Sequence, residues 1–237
     1  MNTPAKFYKV IAFLSITVLS GLTIDNKQAV TFQDNGNGND NFQLNIHVRQ
    51  FVNKYIKDNE ETLTDIRERS ARPFRLIDSV FTRYGLPKEM KYLAVIESEL
   101  KTTALSKVGA RGAWQFMPAT AQLLGLKVDS NTDERTMWSK STVAAAKYLR
   151  DLHNEFGDWL LVLAAYNGGP GPVYRAIRKA HSHDFWALEK FLPAESRGHV
   201  KRFIASHYYF EGMNSVAMLT KSACESCAAA TPAFATL

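Results

Sequence analysis

Behind Asp158 runs Trp159-Leu160-Leu161-Val162-Leu163-Ala164-Ala165, a stretch that is apolar on every side. A helix with this pattern has no face to offer to water, so it must lie centrally with other elements packed around it. Asp158 suits its N-cap, because a short carboxylate can accept from the free amides of the first turn. The candidates to surround it all have helical spacing, with apolar residues three or four apart. They are Val48, Phe51, Val52, Tyr55 and Ile56; then, after Pro73, Ile77, Val80, Phe81 and Tyr84; then Met90, Leu93, Ala94 and Glu97. Ala145, Leu149, Leu152 and Phe156 follow, then Val173, Ala176, Ile177 and Ala180, and finally Val200, Phe203 and Ile204. Gly85 suits a C-terminal cap and Pro87 a first helical turn; Pro118 can open a short helix that Gly125 closes, and Gly157 can end the helix through Phe156. No segment alternates with the period of a strand. The fold class expected is mainly α, with room for at most a very small β-hairpin between Leu105 and Gly112.

At 237 residues and 46% hydrophobic composition, the chain can hold one domain of ordinary size plus extensions. Lys6 and Lys9 precede an uncharged apolar run from Val10 to Leu22, and polar sequence follows from Asp25. Residues 1–29 therefore read as a secretory signal peptide, with Ser20, Gly21 and Ala29 as small residues near a cleavage point; left uncleaved, they would anchor the protein to the membrane. No cysteine near that run could carry a lipid. Asp34 to Asn41, D-N-G-N-G-N-D-N, is too polar and glycine-rich to fold, which makes 30–41 a flexible linker. Residues 42–73 are expected as an N-terminal helical extension, 74–212 as the main domain, and 213–237, rich in Ala, Ser and Thr, as a flexible tail. The net charge of +6 would suit an anionic polymer, but the basic residues are spread along the chain. No basic cluster interleaves with aromatics, so nucleic acid is not expected as a partner. Cys224 and Cys227 are the only two cysteines; their C-x-x-C has no further ligands for a metal and leaves open a small disulfide or no role.

Glu97 closes its apolar stripe, so an ideal helix turns the carboxyl to the buried side, where desolvation favours the neutral acid that a proton donor needs. Three strings follow it: Ser106-Lys107-Val108-Gly109-Ala110-Arg111-Gly112-Ala113-Trp114-Gln115-Phe116-Met117-Pro118, then Ala164-Ala165-Tyr166-Asn167-Gly168-Gly169-Pro170-Gly171, then Leu192-Pro193-Ala194-Glu195-Ser196-Arg197-Gly198-His199-Val200. In this order and spacing the chain resembles the lysozyme-like lytic transglycosylases that cut bacterial peptidoglycan, most closely the membrane-bound D type, over about Phe74 to Phe210. The resemblance implies a lysozyme-like helical domain, peptidoglycan glycan strands as the partner, an exported protein of the periplasm or cell envelope, and no cofactor or metal. A monomer is expected.

Residue by residue, it implies that Glu97 is the single catalytic acid and base. Ser106, Gln115, Phe116 and Met117 would line the sugar groove, and Tyr166 and Asn167 would face Glu97. Amide groups suit N-acetyl and hydroxyl substituents, and Met and Tyr offer apolar faces to sugar rings. Ser98 is expected to cap or orient the helix end, and Gly109, Gly112, Gly168 and Gly169 to let the backbone turn beside the substrate. His199 stands where this family usually has a tyrosine near the catalytic carboxyl. A two-carboxylate hydrolase needs a second acid across the scissile bond. Glu99, two residues from Glu97, would point elsewhere on a helix, Asp158 suits a cap, and Glu195 suits the start of the last helix. A one-carboxylate route ending in 1,6-anhydromuramic acid fits better. A muramidase on the same scaffold, or a silent wall-binding scaffold protein, are the competing readings.

Overall fold

A computed structural model describes residues 46–212. The signal or anchor, the linker, the tail and the Cys224/Cys227 pair lie outside the described residues. Ten α-helices follow one another among them: α1 (Ile46–Asp58), α2 (Glu60–Arg69), α3 (Ala71–Arg83), α4 (Tyr92–Ser98), α5 (Pro118–Leu123), α6 (Trp138–Phe156), α7 (Trp159–Gly168), α8 (Pro170–Ala180), α9 (Phe185–Leu188) and α10 (Ala194–Glu211). The fold is mainly α, as the spacing predicts. Within the described residues the expected hairpin shrinks to isolated bridges, Leu105 with Arg111 and Arg111 with Phe116, and no strand forms.

The apolar segment is the central helix. Leu160 through Asn167 of α7 are all buried, against α6, α8 and α10. Asp158 caps it, its carboxylate accepting from the amides of Leu160 and Leu161 at 2.7 and 3.0 Å. Gly157 takes the left-handed conformation (φ 67°) that ends α6 and lets the chain reverse. α10 packs along α7 on one side and along α1 and α4 on others. Val48 and Val52 of α1 and Leu63 and Ile66 of α2 are buried in the same core. No helix among the described residues is long and apolar enough to cross a membrane.

One boundary differs from expectation. Pro87 is extended (ψ 133°) and precedes a 3-10 turn, Lys88–Lys91, so α4 starts only at Tyr92. Tyr92, Leu93, Ala94 and Val95 are four consecutive buried residues, so this short helix, like α7, is enclosed rather than amphipathic. It stops where Glu99 and Leu100 turn left-handed (φ 53° and 60°). The Leu100 amide reaches back to the Ala94 carbonyl, while the buried Leu100 side chain joins the core. Glu97 thus stands in the last turn of a rigidly held helix.

Candidate active site

The Glu97 carboxyl meets His199 of α10. Nε2 of His199 lies 2.9 Å from Oε1 of Glu97, with the two side chains 3% and 13% exposed. One proton can serve this contact: Nε2–H donates to a carboxylate, or a protonated Glu97 donates to Nε2. Nδ1 of His199 is buried and has no hydrogen-bond partner. Tyr166, at the end of α7, is enclosed by the rings of Phe116 and Tyr148. Burial, helped by the negative charge of Glu97, pushes its phenol well above the usual range, so it remains a neutral donor.

The loop from Ser106 to Met117 is fastened carbonyl by carbonyl. Ser98, next to Glu97, donates to the Ala113 carbonyl at 2.8 Å and to Ala94 at 3.2 Å within its own helix. Tyr166 donates to the Trp114 carbonyl at 2.7 Å. Gln115, left-handed at φ 48°, turns its side-chain amide back on the loop, donating to Gly112 at 2.9 Å and Ala104 at 3.2 Å. The helix carrying Glu97 and the helix carrying Tyr166 therefore hold adjacent carbonyls of one loop. Buried carbonyls must find such partners, and here side chains supply them where strands would otherwise have done so.

The remaining residues singled out in the sequence fall as follows. Ser106 accepts from the Ala110 amide at 2.9 Å and shapes the loop's first turn. Phe116 is buried against Tyr148 and Tyr166, and Met117, half-buried, leads into α5. Asn167 accepts at Oδ1 from Ser196 at 3.1 Å, which links α7 to α10. A Cβ on Gly168 would lie 2.5 Å from the Ser196 hydroxyl oxygen, and one on Gly112 would lie 2.0 Å from the Arg135 carbonyl oxygen. Both glycines are required by close approach. Gly109 bends the loop at φ 89°.

Asp133, Arg135 and Ser196 join the site without having been singled out by their place in the sequence. Ser196 lies within the third string, where only its proximity to Asn167 gives it a role. Asp133 and Arg135 sit two apart in an irregular segment that no hydrophobic period marks.

Residues 77–189 match the family described as Transglycosylase SLT domain. This stretch of the chain is an SLT domain. Over 166 residues the chain is 35% identical to membrane-bound lytic murein transglycosylase D of Escherichia coli K12, covering 68% of this chain and 36% of that protein. It is 30% identical over 145 residues to the soluble lytic murein transglycosylase of the same strain, covering 56% of this chain and 22% of that one. The chain thus spans well under half the length of either of these two relatives. Among solved structures, an inactive Glu-to-Gln mutant of the lytic transglycosylase Slt from Pseudomonas aeruginosa superposes with a TM-score of 0.53 at 25% identity, over 62% of this chain and 25% of that one. The 70 kDa soluble lytic transglycosylase of Escherichia coli shares the fold, with a TM-score of 0.53 at 23% identity over 74% of this chain and 32% of that one. The SLT match ends before α10, although α10 supplies His199 and Ser196.

Proposed function

We propose that the protein is a peptidoglycan lytic transglycosylase of the cell envelope that cuts the β-1,4 bond between N-acetylmuramic acid and N-acetylglucosamine without water. Glu97 is its single acid and base. Protonated Glu97 gives its proton to the glycosidic oxygen, which leaves with the bonding pair as the hydroxyl of N-acetylglucosamine. The acetamido oxygen of the muramyl residue supports the developing positive charge at C1. The Glu97 carboxylate then takes the proton from the muramyl C6 hydroxyl, and O6 bonds to C1, giving a 1,6-anhydromuramyl end.

The observation that carries this reading is the company of Glu97: the His199 imidazole at 2.9 Å and the buried Tyr166 phenol, which feels its charge. Glu99 pairs with Lys101, Asp158 caps α7, and Glu195 lies in the first turn of α10. A water-activating second carboxylate has no evident candidate among them. Ser106, Gln115, Phe116, Met117, Tyr166, Asn167 and His199 shape the groove in this proposal, either at the glycan or by holding the residues that touch it. An SLT relative is inactive as a Glu-to-Gln mutant, in keeping with a single essential glutamate.

Mass spectrometry of fragments from purified peptidoglycan tests the proposal. The parent is expected to release anhydromuramyl ends, and Glu97→Gln none. Reducing ends from the parent would instead indicate a hydrolase, and fragments from Glu97→Gln would remove Glu97 from its role.

A further inference from the structure

Arg135 is only 6% exposed, although it is charged and lies in a short 3-10 turn between α5 and α6. Every nitrogen of its guanidinium donates a hydrogen bond. Nε and Nη2 donate to the two oxygens of Asp133 at 2.8 and 2.7 Å. Nη1 donates to the carbonyls of Gly109 and Phe116 at 2.8 and 2.9 Å. Those carbonyls stand at opposite ends of the loop that Ser98 and Tyr166 fasten in the middle, so a single nitrogen draws the ends together. Arg111, inside the loop, adds its own side chain to Asp133 at 3.2 Å and its amide to the Phe116 carbonyl at 3.1 Å. Gly112 leaves no space for a side chain against the Arg135 backbone. Met117 follows Phe116 directly, so the clamp also sets where α5 begins.

We infer that Arg135, oriented by Asp133, is a positioning residue of the proposed reaction: it holds the loop from Gly109 to Phe116 in the shape that aligns the glycan with Glu97. The inference rests on the transglycosylase reading of the site. A buried ion pair kept only for stability could be replaced by packed apolar groups at little loss, so it is weak evidence of a stabilising role. What this site uses is the planar fork of arginine, which reaches a carboxylate and two carbonyls at once. A lysine ammonium keeps the charge but cannot present that fixed fork.

The test compares Arg135→Lys and Asp133→Asn with the parent, by cleavage kinetics on purified glycan strands and by residue-resolved hydrogen exchange. Both variants are expected to raise KM for the glycan at least tenfold while kcat falls less, because neither changes the Glu97 and His199 contact. Exchange should quicken at the amides of Arg111, Gly112 and Gln115 and stay slow in α6 and α7. Parent-like kinetics with parent-like loop exchange would overturn the inference. So would exchange that quickens uniformly through α6 and α7, which would mark Arg135 as a support of the fold alone. Should Arg135→Lys fail to fold, Asp133→Asn carries the same comparison. Binding of glycan strands to Glu97→Gln, with and without Arg135→Lys, separates this inference from the reaction itself. A tenfold weaker Kd in the double variant supports the positioning role even if the parent cleaves nothing, whereas an unchanged Kd counts against it.

Discussion

Two histidines on α10 illustrate how burial assigns different work to the same side chain. His207 is fully buried, its ring 5.2 Å from that of Tyr92, and neither nitrogen has a partner. Burial pushes its pKa down to about 4, with Lys91 adding to the effect and Glu211 opposing it. The folded protein thus holds His207 neutral where the unfolded chain would bind a proton. Stability from this residue is complete above the ordinary histidine range and is lost as pH falls from about 6.5 towards 4. The loss should reach at most about 3 kcal/mol. Urea unfolding of His207→Gln should accordingly show a flatter pH dependence across that window than the parent; equal slopes would contradict the assignment. His199, equally buried, instead meets the Glu97 carboxyl, with Nε2 2.9 Å from Oε1. In the sequence only the His199 contact could be anticipated, since His199 lies in a recognisable string whereas nothing around His207 distinguishes it from a surface histidine.

At the scale of elements, the loop before α5 is held by its neighbours more than by itself. Tyr166→Phe keeps the ring packing and removes only the bond to the Trp114 carbonyl, leaving a buried acceptor unpaired. The expected cost is about 1–3 kcal/mol, read as a shift in the unfolding midpoint. Activity should fall as well, because the same bond joins α7 to the loop; an unchanged midpoint would mean that water replaces the hydroxyl. Helices were legible wherever an apolar period or a cap marked them, as α7 shows with Asp158 in front of it. Pro87 misled because proline can stand extended just ahead of a 3-10 turn as readily as it can open an α-helix, and four enclosed residues in a row then hid where α4 begins. The four-residue α9 is too short to show a period. The cross-links of the loop, Arg135 above all, follow from three-dimensional proximity and leave no spacing to read.

Across the whole molecule, the segment ahead of the SLT match belongs to the same packed body. α1 lies along α10, and Val48 and Val52 bury their side chains in the common core. Removing residues through Asp58 would uncover that side of α10 and so loosen the helix that brings His199 to Glu97. A lower melting temperature together with reduced cleavage is expected, measured on the truncated and full chains side by side. Retention of both would make α1 dispensable to the site.

The pairing of Glu97 with His199 joins residues separated by 102 positions. A chain emerging from the ribosome displays Glu97 long before its partner helix exists. Long-range contacts of this kind form late in folding. A centre built this way stays incomplete during synthesis, and comes into being only once α10 has been made and has closed upon α4.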